Sequence, residues 1–440
     1  MLERGREVNF APDFMRVRYD NWVNGLTGDW LVSRQRFFGV PIPVWYTLDA
    51  DGEKSDVIVP TEDMLPVDPA SAPAPGFEES QRGVAGGFIG EVDIMDTWAT
   101  SSLTPQIAGG WERDPELFEL VFPYSLRPQG QDIIRTWLFS TMLRSELEHH
   151  SIPWKNTGIS GFIVDPDRKK MSKSKGNVVT PAAMLDEHGS DAVRYWAASS
   201  RLGTDAAFDP QNPKQIKVGR RLAIKVLNAA KFVYSFPEPS VPELAEGGIT
   251  MPLDLDMLAE LSRVVEAATG AFEDFDHAKA LEVTEKFFWT FCDDYLELVK
   301  ERAYSVDSPA EQASAVTALR TGIDVMLRLF APFIPFATEE VWSWTHDDSV
   351  HTAAWPSPPT STDASGLLGF VGDALIGIRR AKTDAKVSQK TVVLSATITG
   401  PALLELAASD LRDVGKIAEI TFVEGDEIAV SDIVFDIQEG

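Results

Sequence analysis

The period of hydrophobic positions changes near residue 210. Upstream, short apolar runs alternate with turn residues. The stretch 30–48, WLVSRQRFFGVPIPVWYTL, reads as β-rich because Gly39, Pro41 and Pro43 break any helical register. Residues 1–28 read as an irregular lead-in. The prolines at 60, 66, 69, 73 and 75, then Gly83, Gly86, Gly87 and Gly90, read as loop. From 130 to 150 the spacing predicts a helix, with Ile133, Trp137, Phe139, Met142 and Leu147 on a broad apolar face. A strand over 158–164 should run into a turn at Asp165-Pro166-Asp167-Arg168. A helix over about 181–198 follows, broken near Gly189. This alternation fits α/β layering.

Downstream, long helical patterns dominate at 214–234, 254–273, 277–304, 309–330 and 333–346, which is the pattern of a helix bundle. In LFAPFIPFATEEVW, Pro332 and Pro335 bend the connection, and Thr338 is a candidate N-cap. A Pro-rich break at 355–366 precedes one more helix and three strand-like runs. The expected divisions are a lead-in at 1–28, an α/β region at 29–208, a helical domain at 209–358 and a small α+β domain at 359–440.

Composition is ordinary for a globular chain of 440 residues, but the net charge is −27. That argues against binding nucleic acid by bulk charge, though not against a local basic track. A single cysteine, Cys292, excludes an internal disulfide framework and paired-cysteine zinc knuckles. No apolar stretch is long enough to cross a bilayer and the first residues lack a signal-peptide core, so a cytoplasmic protein is expected.

The most informative segment is Lys169-Lys170-Met171-Ser172-Lys173-Ser174-Lys175-Gly176-Asn177. A basic run of this kind is commonly a solvated surface loop. Placed after a strand and a tight turn, it also suits a loop that closes over phosphates and meets charge developing on a leaving group. The ordered string KMSKSKGN resembles the second signature of class I aminoacyl-tRNA synthetases. The resemblance implies that Lys170 and Lys173 act on ATP phosphates, with Ser172 and Ser174 adding hydrogen bonds or shaping the loop. Met171 reads as a packing anchor.

Two further segments narrow the family. In Arg127-Pro128-Gln129-Gly130-Gln131-Asp132-Ile133-Ile134-Arg135-Thr136-Trp137, a glycine followed two residues later by an acid suits a nucleotide, although a simple turn with an N-cap would look the same. With the lysine loop downstream, it resembles the adenosine-binding segment of the isoleucyl/valyl/leucyl subgroup, in its valyl form. Gly130 and Asp132 keep that pattern; Gln131 stands where many relatives carry histidine. The run Asp96-Thr97-Trp98-Ala99-Thr100-Ser101-Ser102 resembles another valyl segment. By that resemblance Trp98, with Ile133 and Trp137 as neighbours, would wall an amino-acid pocket; plain core packing is the alternative. Trp30-Leu31-Val32-Ser33-Arg34-Gln35 is similar to the point where these enzymes return from their inserted editing domain. Cysteine pairs that many bacterial relatives carry beyond it are missing here, so no zinc and no resident metal are expected.

Residues 213–231 hold six basic residues and no acid. Lys214, Lys217, Arg221 and Lys225 share one helix face, a stripe that would follow a tRNA backbone unless acidic neighbours neutralise it. A basic helix carrying Arg379, Arg380, Lys382 and Lys386 is a second, weaker candidate.

The resemblance therefore implies the second half of a Rossmann-type catalytic domain, then an anticodon-binding bundle and a small α+β domain. The family's reaction is ATP-dependent activation of valine and its transfer to tRNA-Val, with Mg2+ accompanying ATP and a monomer as the working unit. None of the six histidines forms the family's His-x-Gly-His signature, and most of the editing domain lacks a counterpart. The chain alone is expected to be inactive. An isoleucyl or leucyl relative, or a non-catalytic tRNA-binding module, are the competing readings.

Overall fold

The computed structural model describes residues 1–171, 176, 178, 180–238, 248–360 and 362–436. It divides into two compact units, Met1–Phe162 with Leu202–Thr204, and Ile163–Arg201 with Asp205–Gly440.

The first unit begins with helix α1 (Leu2–Glu7), strand β1 (Asn9–Ala11) and helix α2 (Arg16–Asn24). The expected irregular lead-in is thus ordered. Val8, Phe10, Met15 and Tyr19 enter a core with Ile134, Leu138, Met142, Trp154 and Ile159. A three-residue strand is too short to show alternation, and α2 buries only Tyr19, so neither signals itself by periodicity.

Short strands follow: β2 (Ser33–Arg34), β3 (Trp45–Leu48), β4 (Lys54–Ile58), β5 (Phe88–Gly90) and β6 (Ile94–Met95). The β3 strand lies between β4 and β5 in an antiparallel sheet, and β2 pairs with β6. Helices α3 (Thr97–Ser101), α4 (Thr104–Ala108) and α5 (Pro115–Val121) lead to β7 (Tyr124–Gly130), α6 (Phe139–His149) and β8 (Trp154–Ser160). All pairings in the sheet β1-β8-β7 are parallel, so β7–α6–β8 is a crossover unit. The face buried on the way into α6 is Ile134, Leu138, Met142 and Ser145, at helical spacing. Leu147, expected on it, is 68 % exposed. A π-helical turn at Ile134–Leu138 inserts an extra residue per turn and shifts the register.

The second unit opens with β9 (Ile163–Val164), then α7 (Ala182–His188) and α8 (Ser190–Ala198), separated at Gly189 with φ +83°. Strand β10 (Ala206–Ala207) pairs parallel with β9. The bundle comprises α9 (Lys214–Val233), α10 (Pro252–Glu273), α11 (His277–Thr290), α12 (Leu296–Tyr304), α13 (Pro309–Phe330) and α14 (Pro335–Trp342). Prolines open α10, α13 and α14, where a missing N–H costs nothing. Thr338 is not the cap of α14: it lies inside the helix and its hydroxyl donates back to Ile334 O at 3.1 Å. The orphan amides of Phe336 and Ala337 are instead accepted by the carboxylate of Asp191, at 3.1 and 2.7 Å.

Helix α15 (Leu367–Asp384), strand β11 (Val393–Gly400), helix α16 (Ala408–Gly415) and strands β12 (Ile417–Glu424) and β13 (Ala429–Phe435) complete the unit. Here β11 is parallel to β12 and antiparallel to β13. One continuous core runs from Tyr195 through the bundle to Ile417. The basic-helix expectation for α15 needs correction at Lys382. It is 1 % exposed, and its ammonium donates to Gly415 O at 2.7 Å and Gln389 O at 3.0 Å. A buried lysine whose ammonium is held by two backbone carbonyls is not presented to a polyanion.

Candidate functional site

In the first unit, three sequence-distant segments converge. Strand β2 pairs with β6, and Asp96 N donates to Val32 O at 2.7 Å, which draws WLVSRQ against DTWATSS. The Asp96 carboxylate caps α3 by accepting from Trp98 N at 2.7 Å, and it also forms an ion pair with Arg34. Neither role was read from the sequence: the cap is a local Asp pattern that the reading missed, whereas an Asp–Arg pair so far apart leaves no local signature. From the third segment, Trp137 Nε1 donates to Ser101 O at 3.1 Å, and Arg144 Nε donates to Ser102 Oγ at 2.8 Å. Trp98, Ile133 and Trp137 are all half-buried. Trp98 and Trp137 thus sit on two elements joined by a direct hydrogen bond.

At the end of β7 the chain turns at Gly130 into a short 3-10 segment, Gln131–Ile133. A Cβ on Gly130 would lie 2.8 Å from Asp132 Oδ1. The backbone φ there is an ordinary −78°, so a side chain at 130 would require only that the exposed Asp132 carboxylate shift. Asp132 is exposed, whereas Gln131 is buried. Sequence reasoning also passed over Arg127, whose guanidinium carbon lies 3.0 Å from the Trp137 ring centroid and 4.7 Å from that of Trp154.

In the second unit, the turn before the lysine loop is tightly built. Arg168 N donates to Asp165 O at 2.9 Å, Asp165 N to Lys169 O at 2.9 Å, and Lys169 N to Asp165 Oδ1 at 2.8 Å. Arg168 takes a φ of +61° to close it. Val164 and Lys170 then face each other as an antiparallel bridge, which leaves Lys170 exposed at the start of the loop. Met171 packs against Met184, Ala192, Phe208 and Ile216, so the loop is anchored at its entrance. Ser172, Lys173 and Ser174 lie outside the described residues.

The α9 stripe is partly available. Lys214, Lys217 and Arg221 are exposed, while Lys225 Nζ forms an ion pair with Asp293 at 3.1 Å. Arg221 and Lys225 each lie 5.7 Å from the Trp289 ring, which adds an aromatic surface beside the cations. Among the described residues, no group of three or more His, Cys, Asp or Glu side chains is disposed to hold a metal ion, and no helix is long and apolar enough to cross a membrane.

Two family models match: tRNA synthetases class I (I, L, M and V) over residues 1–209, and the anticodon-binding domain of tRNA ligase over 254–398. A valine–tRNA ligase of Leifsonia xyli subsp. xyli is 64 % identical over 99 % of this chain and 51 % of its own length. That of Thermobifida fusca is 56 % identical over 97 % of this chain and 49 % of its own length. The chain spans about half the length of the curated relatives it matches. Among solved structures, the LeuRS of Agrobacterium radiobacter K84, in a ternary complex with tRNA and LeuAMS, aligns with a TM-score of 0.58 at 18 % identity, covering 92 % of this chain and 51 % of that one. A methionyl-tRNA synthetase of Mycobacterium tuberculosis bound by methionyl-adenylate aligns at 0.51 with 20 % identity, over 76 % and 57 %. These two likenesses bear on the fold.

Proposed function

Since the chain belongs to the valine–tRNA ligase branch of the class I tRNA synthetases and corresponds to about half of such an enzyme, we propose that it supplies part of the amino-acid pocket, a phosphate-gripping loop and a tRNA-binding surface. The observation that carries this reading is the hydrogen bond from Trp137 to Ser101 O, because it joins the two segments whose indoles would size a branched aliphatic side chain. Trp98, Ile133 and Trp137 are the proposed pocket residues. Residues 29–208 would serve the chemistry, 209–358 the anticodon arm of tRNA-Val, and 359–440 the bundle's support.

Gly130 and Asp132 are proposed to meet adenosine, the glycine by letting backbone approach and the carboxylate by accepting from ribose hydroxyls. Lys170 and Lys173, with Ser172 and Ser174, are proposed to bind the ATP phosphates. Mg2+ would arrive on those phosphates as part of the substrate. In the reaction, the valine carboxylate attacks the α-phosphorus, pyrophosphate leaves, and a terminal ribose hydroxyl of the tRNA then takes the acyl group from AMP. Lysine ammonium groups favour the departing pyrophosphate because its charge grows in the transition state. Lys214, Lys217, Arg221 and Lys225 are proposed to follow the tRNA backbone. The cytoplasm is the proposed compartment and the monomer the proposed state.

ATP bearing a photoreactive group on its γ-phosphate tests the loop assignment. Crosslinks should map by mass spectrometry to residues 169–177 and be lost in K170A/K173A. Labelling that is unchanged in the double variant would refute it.

A further inference from the structure

Arg127 is buried at 9 % exposure, and among the described residues no carboxylate pairs with it. Its Nε and one terminal nitrogen are buried without a hydrogen-bond partner. Burial pushes its pKa down to about 10. Gln129, two residues on and inward-facing on the same strand, also leaves both amide atoms unpaired, so it gives the guanidinium no relief. Burying a cation in this way is costly, and a methionine or leucine would fill the space without that penalty.

What the guanidinium adds is a flat cation against an indole face, 3.0 Å from the Trp137 centroid, with the Trp154 ring centroid also near at 4.7 Å. The opposite constraint on Trp137 is the hydrogen bond from its indole N–H to Ser101 O. The ring is therefore held by its face to β7 and by its edge to α3, the helix that carries Trp98. We infer that Arg127 is a positioning residue that holds the Trp137 indole as a wall of the amino-acid pocket, so that recognition of the aliphatic side chain depends on a cation that does not touch it. This rests on the pocket reading proposed above for Trp98 and Trp137.

The test uses the whole chain with 15N-labelled indoles, assigned through W98F, W137F and W154F. In R127M the circular dichroism and the exchange of the Trp45 indole N–H, which is held separately by Ala72 O, should be unchanged. The Trp137 indole N–H should exchange at least tenfold faster, and R127K should fall between. Unchanged Trp137 exchange in R127M would overturn the inference. If R127M does not fold, R127K, which keeps the charge but not the plane, gives the same comparison. Adding 5′-O-(N-valylsulfamoyl)adenosine should shift Trp98 and Trp137 in the wild type, and its apparent affinity should weaken at least fivefold in R127M. If the analogue shifts neither indole in the wild type, the pocket reading fails, and the ligand arm of the inference fails with it. The exchange data decide separately whether Arg127 holds the ring.

Discussion

Arg302 and Asp410, 108 residues apart in sequence, meet between α12 and α16, with the guanidinium Nε donating to Asp410 Oδ1 at 2.9 Å. The same guanidinium donates to both oxygens of Asp254 on α10, at 2.7 and 2.9 Å. Tyr295 OH and Ser314 Oγ complete the Asp254 shell at 2.8 and 2.6 Å. This buried network joins the small C-terminal α+β region to the helix bundle. Burial pushes the Asp410 carboxyl up to about 6 in spite of Arg302. A carboxyl whose folded pKa stands above its unfolded value of about 3.9 holds its proton more tightly when folded. The stability it contributes is full below about pH 4 and is lost as pH rises through about 6. Unfolding free energies of wild type and D410N should therefore diverge between pH 4 and 6, with the wild type losing ground as pH rises, and run parallel above 7. Parallel curves throughout would contradict this. R302M, which strands two buried carboxylates, should cost about 3–5 kcal/mol in urea denaturation at pH 7.

Asp191 caps α14 from another helix, so its loss exposes two amide groups at once. D191A should destabilise the chain by about 1–2 kcal/mol, with D191N losing less because its amide oxygen still accepts. Urea midpoints measure both, and equal midpoints for wild type and D191A would show that water replaces the cap without cost.

The cations on α9 should not contribute equally. Lys217 and Arg221 are exposed, while Lys225 is paired with Asp293. K217E/R221E should weaken tRNA binding and flatten the dependence of log Kd on log salt by roughly 0.9 per phosphate contact removed. K225E should have a smaller effect on the slope. Identical slopes for K217E/R221E and wild type would remove the stripe from the interface.

Lys382 gives the opposite expectation for α15. K382M removes two hydrogen bonds, one of them to the buried carbonyl of Gly415, so it should lower stability by about 1–3 kcal/mol and leave tRNA affinity unchanged. Loss of affinity at full stability would restore the basic-helix reading.

How far these features were legible depended on where their physical cause lay. The bundle helices showed themselves because apolar residues recur at helical spacing over long stretches, although α13 buries runs as continuous as Gln312–Val316 and not a single stripe; the break at Gly189 showed because a glycine takes the positive φ found there. The lysine loop and the tryptophan segments were legible as ordered strings. The core role of Phe10, the capping of α14 by Asp191 and the Arg302 network were not. Each is a contact between residues remote in sequence, and a single chain records no such pairing. Lys382 misled for the same reason: its helix face looked solvated until the carbonyls of Gln389 and Gly415 arrived from other elements.

Equilibrium binding of the whole chain to a tRNA-Val transcript and a tRNA-Leu transcript, at the same salt concentration, decides whether it carries the proposed tRNA-recognising surface of a valine enzyme. tRNA-Val should bind more tightly, with the preference surviving as salt rises and overall affinity falls. Equal affinity for the two transcripts would contradict it.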